Sequence, residues 1–337
     1  MVELLREQVD WEVFGISRNP PVGHSRMRSI PVDLLDTDTT RVKLDGINPS
    51  HVFFCAWMMG ETEAENIRIN STLVRNVLAA FGSSSCIEHV SLVTGTKHYL
   101  GPFECYAKGV PLTPFREDHP RLPVPNFYYA QEDEIFAGAE RCGFTFNIHR
   151  PYTIIGYSIG KAMNLGATLA AYASVCRDTG EPFRFPGSQI AWSGLSEYSD
   201  ARQVAKQVLW AALTPRAHNQ AFNIVNGDQF RWQWLWPRIA QYFGVDPAPY
   251  EANHQSLAIQ LASAGETWGK LVARSGLQPI AFDKLASPWH TDLDLSRSFE
   301  ILSDMSSCRR LGFKEYQNTE DSFTDLFDRL RRERIVP

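Results

Sequence analysis

A lysine and a tyrosine that could stabilise a developing negative charge lie in two neighbouring segments of the chain. Lys97 follows the apolar run 89–93, which breaks at a Thr-Gly pair and predicts a buried strand. Tyr128 lies in the first turns of a helix that we predict to begin after Asn126. Because an open parallel sheet holds its ligands at the carboxyl ends of its strands, we expect both side chains at one crevice.

Strands and helices alternate through the first two-thirds of the sequence, and the rest is mainly helical. The runs that predict strands lie at 11–17, 29–32, 52–57, 89–93, 144–149 and 221–225. Helices are predicted over 61–81, after Asn126 and over 200–213. This alternation predicts an α/β fold with a Rossmann-type doubly wound parallel sheet. Residues 1–157 and 187–226 would form the nucleotide-binding core, and 158–186 and 227–337 a smaller, mainly helical part that covers the substrate.

The composition excludes several classes of partner. The 337 residues are 44% hydrophobic and 21% charged, with a net charge of −5 and a pI near 6.0. This balance argues against a nucleic-acid binder or a protein of anionic membrane surfaces. Six scattered cysteines and the lack of a visible signal peptide favour a reduced, cytoplasmic protein. Since His98 and His290 have no third ligand at useful spacing, we expect no metal site.

One part of a Rossmann-type sheet is not found in the sequence. Such sheets open with a strand and a glycine-rich GxxGxxG turn, whose backbone N–H groups bind the pyrophosphate of a dinucleotide. Here residues 2–8 predict the last turns of a helix, and no GxxGxxG precedes the strand at 11–17. The absent strand would lie centrally, between the strands at 11–17 and 52–57. We expect a gap in the sheet and weak dinucleotide binding, and we favour a truncated start over a redesigned site.

The residue after the first visible strand indicates which dinucleotide would bind. NAD sites carry an acidic residue in this region for the ribose hydroxyl, whereas NADP sites use arginine for the 2′-phosphate. Arg18 stands here between Ser17 and Asn19, so the usual acidic signal is absent. The sequence therefore predicts NADPH as the cofactor.

Three long motifs and two further segments resemble one known family. The motifs are TGTKHYLGPFE at 94–104, NFYYAQEDEIF at 126–136 and HRPYTIIGYS at 149–158. With the segments at 221–245 and 312–337, they resemble the progesterone 5β-reductase/iridoid synthase family, over residues 11–337. That family consists of atypical extended short-chain dehydrogenases, which reduce enones with NADPH. The resemblance implies a small-molecule enone as the substrate, and a homodimer is compatible with it.

The resemblance assigns roles to residues at matching positions. It implies that Tyr128 donates a hydrogen bond to the enolate oxygen, and that Lys97, beside the nicotinamide ribose, favours the negative charge there. Both residues would also contact the cofactor. Further cofactor contacts are implied at Asp33, Leu34, Ala56, Trp57, Thr94 and Ile154.

The expected substrate pocket departs from the family pattern at one wall. The resemblance implies that Leu100 and Phe103 face the substrate. The family often carries a WWF-like run in its C-terminal part, where this chain has Pro-Trp-His-Thr at 288–291, including Trp289. The wall is therefore more polar, which favours a smaller or more polar enone over a bulky steroid or geranyl-type substrate.

An ordinary short-chain dehydrogenase motif occurs at a different place in the chain. In that motif, YxxxK, the tyrosine and lysine lie one helical turn apart on one face. Four residues after Tyr128 stands Glu132, so the usual lysine is missing. A YxxxK does occur at 157–161, but it follows a later strand, and Gly160 weakens a helix there. We expect this second motif to be unrelated to catalysis.

Two other functions compete with enone reduction. A sugar-nucleotide epimerase or dehydratase of the extended superfamily would share the fold, but it would need YxxxK at the usual position. A catalytically impaired nucleotide-binding or sensor protein would explain the missing glycine-rich turn. The presence of both Lys97 and Tyr128 favours the reductase over that alternative.

Overall fold

The structure is a computed structural model that describes residues 1–20, 26–82, 86–105, 111–160 and 163–337. Its strands are β1 (Val13–Ser17), β2 (Met27–Pro31), β3 (His51–Phe54), β4 (His89–Val93), β5 (Thr145–Pro151), β6 (Ile154–Ile155), β7 (Ser199–Asp200) and β8 (Gln220–Ile224). The helices of the first half are α1 (Val2–Arg6), α2 (Thr37–Leu44), α3 (Glu63–Phe81), α4 (Lys97–Leu100), α5 (Phe127–Cys142), α6 (Leu165–Thr179) and α7 (Gln189–Ser193). They are followed by α8 (Ala201–Ala212), α9 (Trp232–Phe243), α10 (Leu257–Gln260), α11 (Ala264–Ser275), α12 (Phe282–Leu285), α13 (Pro288–Leu295), α14 (Ser306–Arg310) and α15 (Thr319–Arg332).

The central sheet is parallel and covered by helices on both faces. Its strand order is β3-β4-β5-β8, and every neighbouring pair is parallel. Successive side chains of a strand point to opposite faces. On one face, Val90 and Leu92 of β4 pack with α3 and α5. On the other face, the His149 ring of β5 forms a hydrogen bond with Gln207 of α8. The Rossmann-type α/β fold predicted from the alternation is confirmed.

The sheet is divided at the position where the sequence predicted a gap. Strands β1 and β2 form a separate parallel pair, and within the described residues no ladder joins β1 to β3. Aromatic side chains fill part of the gap between β1 and β3. The ring centroid of Trp11 lies 4.9 Å from that of His51 and 6.0 Å from that of Phe53. The facing edges of β1 and β3 therefore lack the central strand that a doubly wound sheet has between them.

The second large core lies in the C-terminal part of the chain. Residues 165–176 of α6 are all buried, which explains why this segment is apolar without a helical periodicity. Aromatic residues of α9 and α15, such as Trp236 and Phe323, pack around it. Within the described residues, no helix combines the length and apolar character needed to cross a membrane. The predicted division into core and covering part remains a prediction.

Candidate active site

A single asparagine links the starts of the two segments that carry Lys97 and Tyr128. Asn126 caps α5, since its side-chain oxygen accepts a hydrogen bond from the Tyr128 backbone N–H at 3.0 Å. Its side-chain nitrogen donates to the Lys97 carbonyl at 2.8 Å. The first N–H of the helix, from Phe127, donates to the Glu63 carboxylate at 2.7 Å. The beginning of α5 is thereby fixed to both α3 and the segment after β4.

The Tyr128 hydroxyl lies at the carboxyl ends of β4 and β5. A Cβ atom on Gly95 would lie 3.0 Å from this hydroxyl and 3.2 Å from the Pro151 carbonyl oxygen. The backbone N–H of Thr96 donates to the same carbonyl at 3.0 Å. A side chain on residue 95 would therefore have to move the tyrosine or the end of β5 by a few tenths of an ångström. This close approach was not found by sequence reasoning, although the Thr-Gly break marked its position.

Lys97 lies in the first turn of α4 and not on the strand itself. Its ammonium nitrogen is 3.7 Å from the ring centroid of Phe103 and 5.4 Å from that of Phe127. The Phe127 ring in turn contacts Tyr128, with centroids 4.3 Å apart, and stacks at 6.1 Å on Trp57. The structure thus brings three predicted site residues, Lys97, Tyr128 and Trp57, together around Phe127, which the sequence did not single out.

The surroundings of Tyr128 keep its hydroxyl protonated. Burial raises the pKa of Tyr128 well above its ordinary value, and the negative charge of Glu63 raises it further. A protonated phenol is a hydrogen-bond donor, so this group suits an oxygen that gains negative charge.

The predicted cofactor residues lie in different environments. Arg18, Asp33 and Ala56 are exposed, and Ile154 is 39% exposed. The Asp33 carboxylate accepts the Leu35 N–H at 3.0 Å, so it also shapes its own turn. Leu34 is buried in the core beneath α3. Thr94 is buried, and its hydroxyl donates to the His149 carbonyl at 3.2 Å. These roles remain predictions.

The predicted substrate residues also differ in how much of their surface is exposed. Phe103 lies against Lys97, and Trp289 of α13 is 43% exposed. Leu100 is only 6% exposed and packs with a small cluster of buried residues, Tyr99, Phe115, Phe299 and Ile301. Little of its surface is therefore left for a ligand, and its substrate contact remains a prediction.

A buried ion network lies behind the site and was not foreseen. Glu132, the residue found where a lysine would complete YxxxK, is 3.5 Å from both Arg150 and His98 and 2.9 Å from Arg121. Burial opposes its ionisation, but His98 and Arg150 lower the pKa of this carboxyl below its ordinary value. The sequence feature that could have indicated this network is Glu132 itself, an acidic residue on the buried face of α5. The network fixes α5 to the end of β5.

The tyrosine of the second YxxxK contacts the C-terminal helix. The Tyr157 hydroxyl donates a hydrogen bond to Glu333, and the Arg329 guanidinium lies 3.8 Å from its ring centroid. Lys161, the lysine of that motif, lies outside the described residues. Tyr157 therefore joins β6 to the end of α15, which is a packing role.

The family model for the PRISE-like Rossmann-fold domain matches residues 33–337. The chain belongs to this PRISE-like family. An (S)-8-oxocitronellyl enol synthase from Camptotheca acuminata is 36% identical over 336 residues, covering 97% of this chain and 86% of that protein. A 3-oxo-Δ(4,5)-steroid 5β-reductase from Arabidopsis thaliana is 36% identical over 334 residues, with the same coverage. The resemblance to the progesterone 5β-reductase/iridoid synthase family is confirmed.

Solved structures with low identity share the fold of this PRISE-like chain. A UDP-glucose 4-epimerase from Thermotoga maritima has a TM-score of 0.66 at 13% identity, covering 98% of this chain and 94% of that one. The enzyme WbmG from Bordetella bronchiseptica, in complex with NAD and UDP, has a TM-score of 0.66 at 14% identity, covering 99% and 91%. At such identities the likeness supports the Rossmann-type fold and not a shared substrate.

The cysteines and any clusters of metal-ligating side chains are the other reactive groups of this PRISE-like chain. All six cysteines are free thiols. In the part of the chain that the structure describes, no group of three histidine, cysteine or acidic side chains could hold a metal ion.

Proposed function

We propose that the chain reduces the C=C bond of an enone by 1,4-addition of hydride from NADPH. The observation that carries the proposal is the Tyr128 hydroxyl at the ends of β4 and β5, with the Lys97 ammonium 5.4 Å from the centroid of the Phe127 ring that Tyr128 also contacts. A donor beside a cation suits an enone oxygen, because that oxygen becomes negative as the β carbon accepts hydride. The PRISE-like relatives support this choice, since the name of one contains a 3-oxo-Δ(4,5)-steroid, which is an enone.

The two residues would act on the same oxygen in different ways. The Tyr128 hydroxyl would donate a hydrogen bond that strengthens as the enolate forms, which lowers the barrier more than it aids binding. Lys97 would add a positive charge in a pocket walled by Phe103 and Phe127, where poor screening makes the charge more effective. Trp57 and Phe103 would keep water from the reacting carbons.

The residues at both ends of the crevice fit a nicotinamide dinucleotide. NADPH, when bound, supplies the hydride. Gly95 leaves space at the strand ends beside Tyr128, which a side chain would fill, and the partly exposed Ile154 follows the end of β5 by three residues. At the other end, the exposed Arg18 would bind the 2′-phosphate.

The test removes one hydroxyl. Tyr128→Phe keeps the ring against Phe127, so the fold should survive, whereas reduction of 2-cyclohexen-1-one should fall by about 10²–10³-fold. The loss should appear mainly in kcat because the hydrogen bond is strongest in the transition state. Steady-state kinetics with NADPH, together with a melting curve for each variant, measure both expectations.

Tyr157→Phe is the matched control for this experiment. Its hydroxyl bonds Glu333, so its loss should lower stability slightly and leave turnover nearly unchanged. If Tyr157→Phe abolished turnover while Tyr128→Phe kept most of it, the proposed function would be wrong. An ordinary short-chain dehydrogenase reaction at the second YxxxK would then replace it. A cytoplasmic location and a homodimer remain predictions.

A further inference from the structure

The tyrosine that follows the candidate donor joins the two helices that carry the site. The Tyr129 hydroxyl of α5 donates a hydrogen bond to the His98 carbonyl of α4 at 2.6 Å, and it accepts one from the Leu122 N–H at 3.0 Å. Tyr129 is 8% exposed and His98 is 3% exposed, so little water reaches these groups. Because a buried polar group is costly to leave unpaired, the two bonds hold α4 against the start of α5.

The His98 carbonyl needs a donor from outside its own helix. Helix α4 is a single turn, and the residue four positions after His98 is Pro102, which has no N–H to donate. The Gly101 N–H donates to the Lys97 carbonyl instead, at 2.8 Å. The Tyr129 hydroxyl therefore supplies the hydrogen bond that the sequence of α4 leaves unmade.

The ring of Tyr129 is held on two sides. The His98 ring meets it nearly at a right angle with centroids 5.2 Å apart, and the Arg121 guanidinium lies 4.8 Å from its centroid. Glu132, one turn later on α5, lies 3.5 Å from His98 and 2.9 Å from Arg121. Both groups that pack on the tyrosine are thus fixed by one carboxylate, so its hydroxyl has a defined position.

We propose that the Tyr129 hydroxyl is a positioning group, which holds Lys97 of α4 at its working distance from Tyr128 of α5. The proposal rests on the enone-reductase function proposed above and concerns the same site. Asn126 gives a second link, so two successive carbonyls of α4 are bonded from α5. The hydroxyl acts through Lys97, whose carbonyl directly precedes the one that it bonds. A misplacement of about 1 Å in a reacting group can lower a rate by about 10²-fold.

The first experiment is a double-mutant cycle on turnover of 2-cyclohexen-1-one. Tyr129→Phe removes only the hydroxyl and should lower kcat by about tenfold, with KM changed less than about twofold. In a Lys97→Met background the same change should lower kcat less than about twofold, because the group through which Tyr129 acts is then absent. A merely structural role would give the same loss in both backgrounds.

Tyr172→Phe is the matched control. Its hydroxyl also joins two segments, since it accepts from the Arg184 N–H at 3.1 Å and donates to the Gln260 side chain at 2.7 Å. The variant should lower the melting temperature as much as Tyr129→Phe does, but leave kcat unchanged.

A second variant covers the case in which Tyr129→Phe fails to fold. Asn126→Asp keeps an acceptor for the Tyr128 N–H at the start of α5, where aspartate caps as well as asparagine. It cannot donate to the Lys97 carbonyl. Its loss in kcat should therefore also disappear in the Lys97→Met background.

A spectroscopic measurement tests the positioning without turnover. Reductive methylation with isotopically labelled formaldehyde marks the lysines and keeps their charge, and Lys97→Met identifies the signal of Lys97. The rings of Phe103 and Phe127, at 3.7 Å and 5.4 Å from the ammonium nitrogen, should place this NMR signal upfield of those of exposed lysines. Tyr129→Phe should shift it towards them, and Tyr172→Phe should not.

An unchanged methyl signal in Tyr129→Phe, or equal losses of kcat in both backgrounds, would overturn the proposal. If the native chain reduced no enone while the signal still shifted, the reductase function proposed above would be wrong. The hold of Tyr129 on Lys97 would then stand by itself.

Discussion

Two parts of the parallel sheet differ in how tightly they are packed. In the four-stranded part, β4 and the second half of β5 are buried, with Val90, Leu92 and Ile148 almost wholly enclosed between helices. In the two-stranded part, β1 is half-buried apart from Val13, and β2 is partly exposed along its whole length. The difference follows from the division of the sheet, because within the described residues β1 and β3 each pair with a strand on one side only.

The comparison separates the proposed catalytic roles from the proposed cofactor roles. Tyr128 and Lys97 belong to segments that the well-packed part fixes through Asn126 and Glu63. Arg18 and Asp33 lie at the ends of the loosely packed strands. We therefore expect changes in the first group to reduce turnover strongly, and changes in the second to reduce affinity modestly.

The largest expected effect is at Lys97. Lys97→Met keeps the apolar length over Phe103 but removes the charge, so kcat/KM for 2-cyclohexen-1-one should fall by about 10²–10³-fold. Lys270→Met is the control, since that lysine bonds Glu266 on the exposed face of α11. Near-native kinetics for Lys97→Met, with NADPH affinity measured separately, would remove Lys97 from the proposed mechanism.

A smaller effect is expected in the two-stranded part. Arg18→Ala should weaken NADPH binding about tenfold and leave NADH binding unchanged, because only NADPH carries the 2′-phosphate. Fluorescence titration with both cofactors measures this. Arg28→Ala, on the neighbouring strand, is the matched control, as Arg28 already bonds Glu12 at 3.1 Å. Equal losses for both cofactors would show that Arg18 serves the fold and not the phosphate.

Much of the fold was predictable because apolar periodicity reflects burial directly. The strand at 89–93 was predicted with its observed bounds, and the helix after Asn126 begins at Phe127 as expected. Helix α2 was missed, because it is short and exposes most of its residues, so it shows little apolar pattern. The gap beside β1 was predictable because the strand order of a doubly wound sheet fixes which strands are neighbours.

The site was predictable only as far as motifs name residues. Lys97 and Tyr128 were selected in this way, and their roles remain predictions. The close approach at Gly95 depends on where a tyrosine ring distant in sequence lies. The network of Glu132, Arg150 and His98 joins residues from three segments, and no local pattern indicates such pairing. Leu100 was selected by its motif position and packs in a small buried cluster, because a motif position does not tell whether a side chain faces a cavity or the core.

Two histidines at the amino ends of neighbouring strands extend the comparison to acid stability. His89 of β4 is almost completely buried, and burial, with the charges of His218 and His51, lowers its pKa from 6.5 to about 3. His51 of β3, at the edge facing the gap, is half-buried, and burial lowers its pKa while Glu88 opposes the shift. Because the folded state resists protonation of both, stability is fully present above pH 6.5 and falls below it, as the unfolded chain takes up protons.

The smallest expected effect is on acid stability, when each of the two histidines is replaced separately. For a group with a pKa near 3 when folded and 6.5 when unfolded, the loss at pH 5.5 is about 1.4 kcal/mol. His89→Gln keeps a partner for Thr145 and should remove about that much of the difference in unfolding free energy between pH 7.5 and pH 5.5. His51→Gln should remove less, since the gap leaves its ring half-buried. Urea unfolding at the two pH values measures both, and an equal change for the two variants would mean that the edge beside the gap is packed as tightly as the interior.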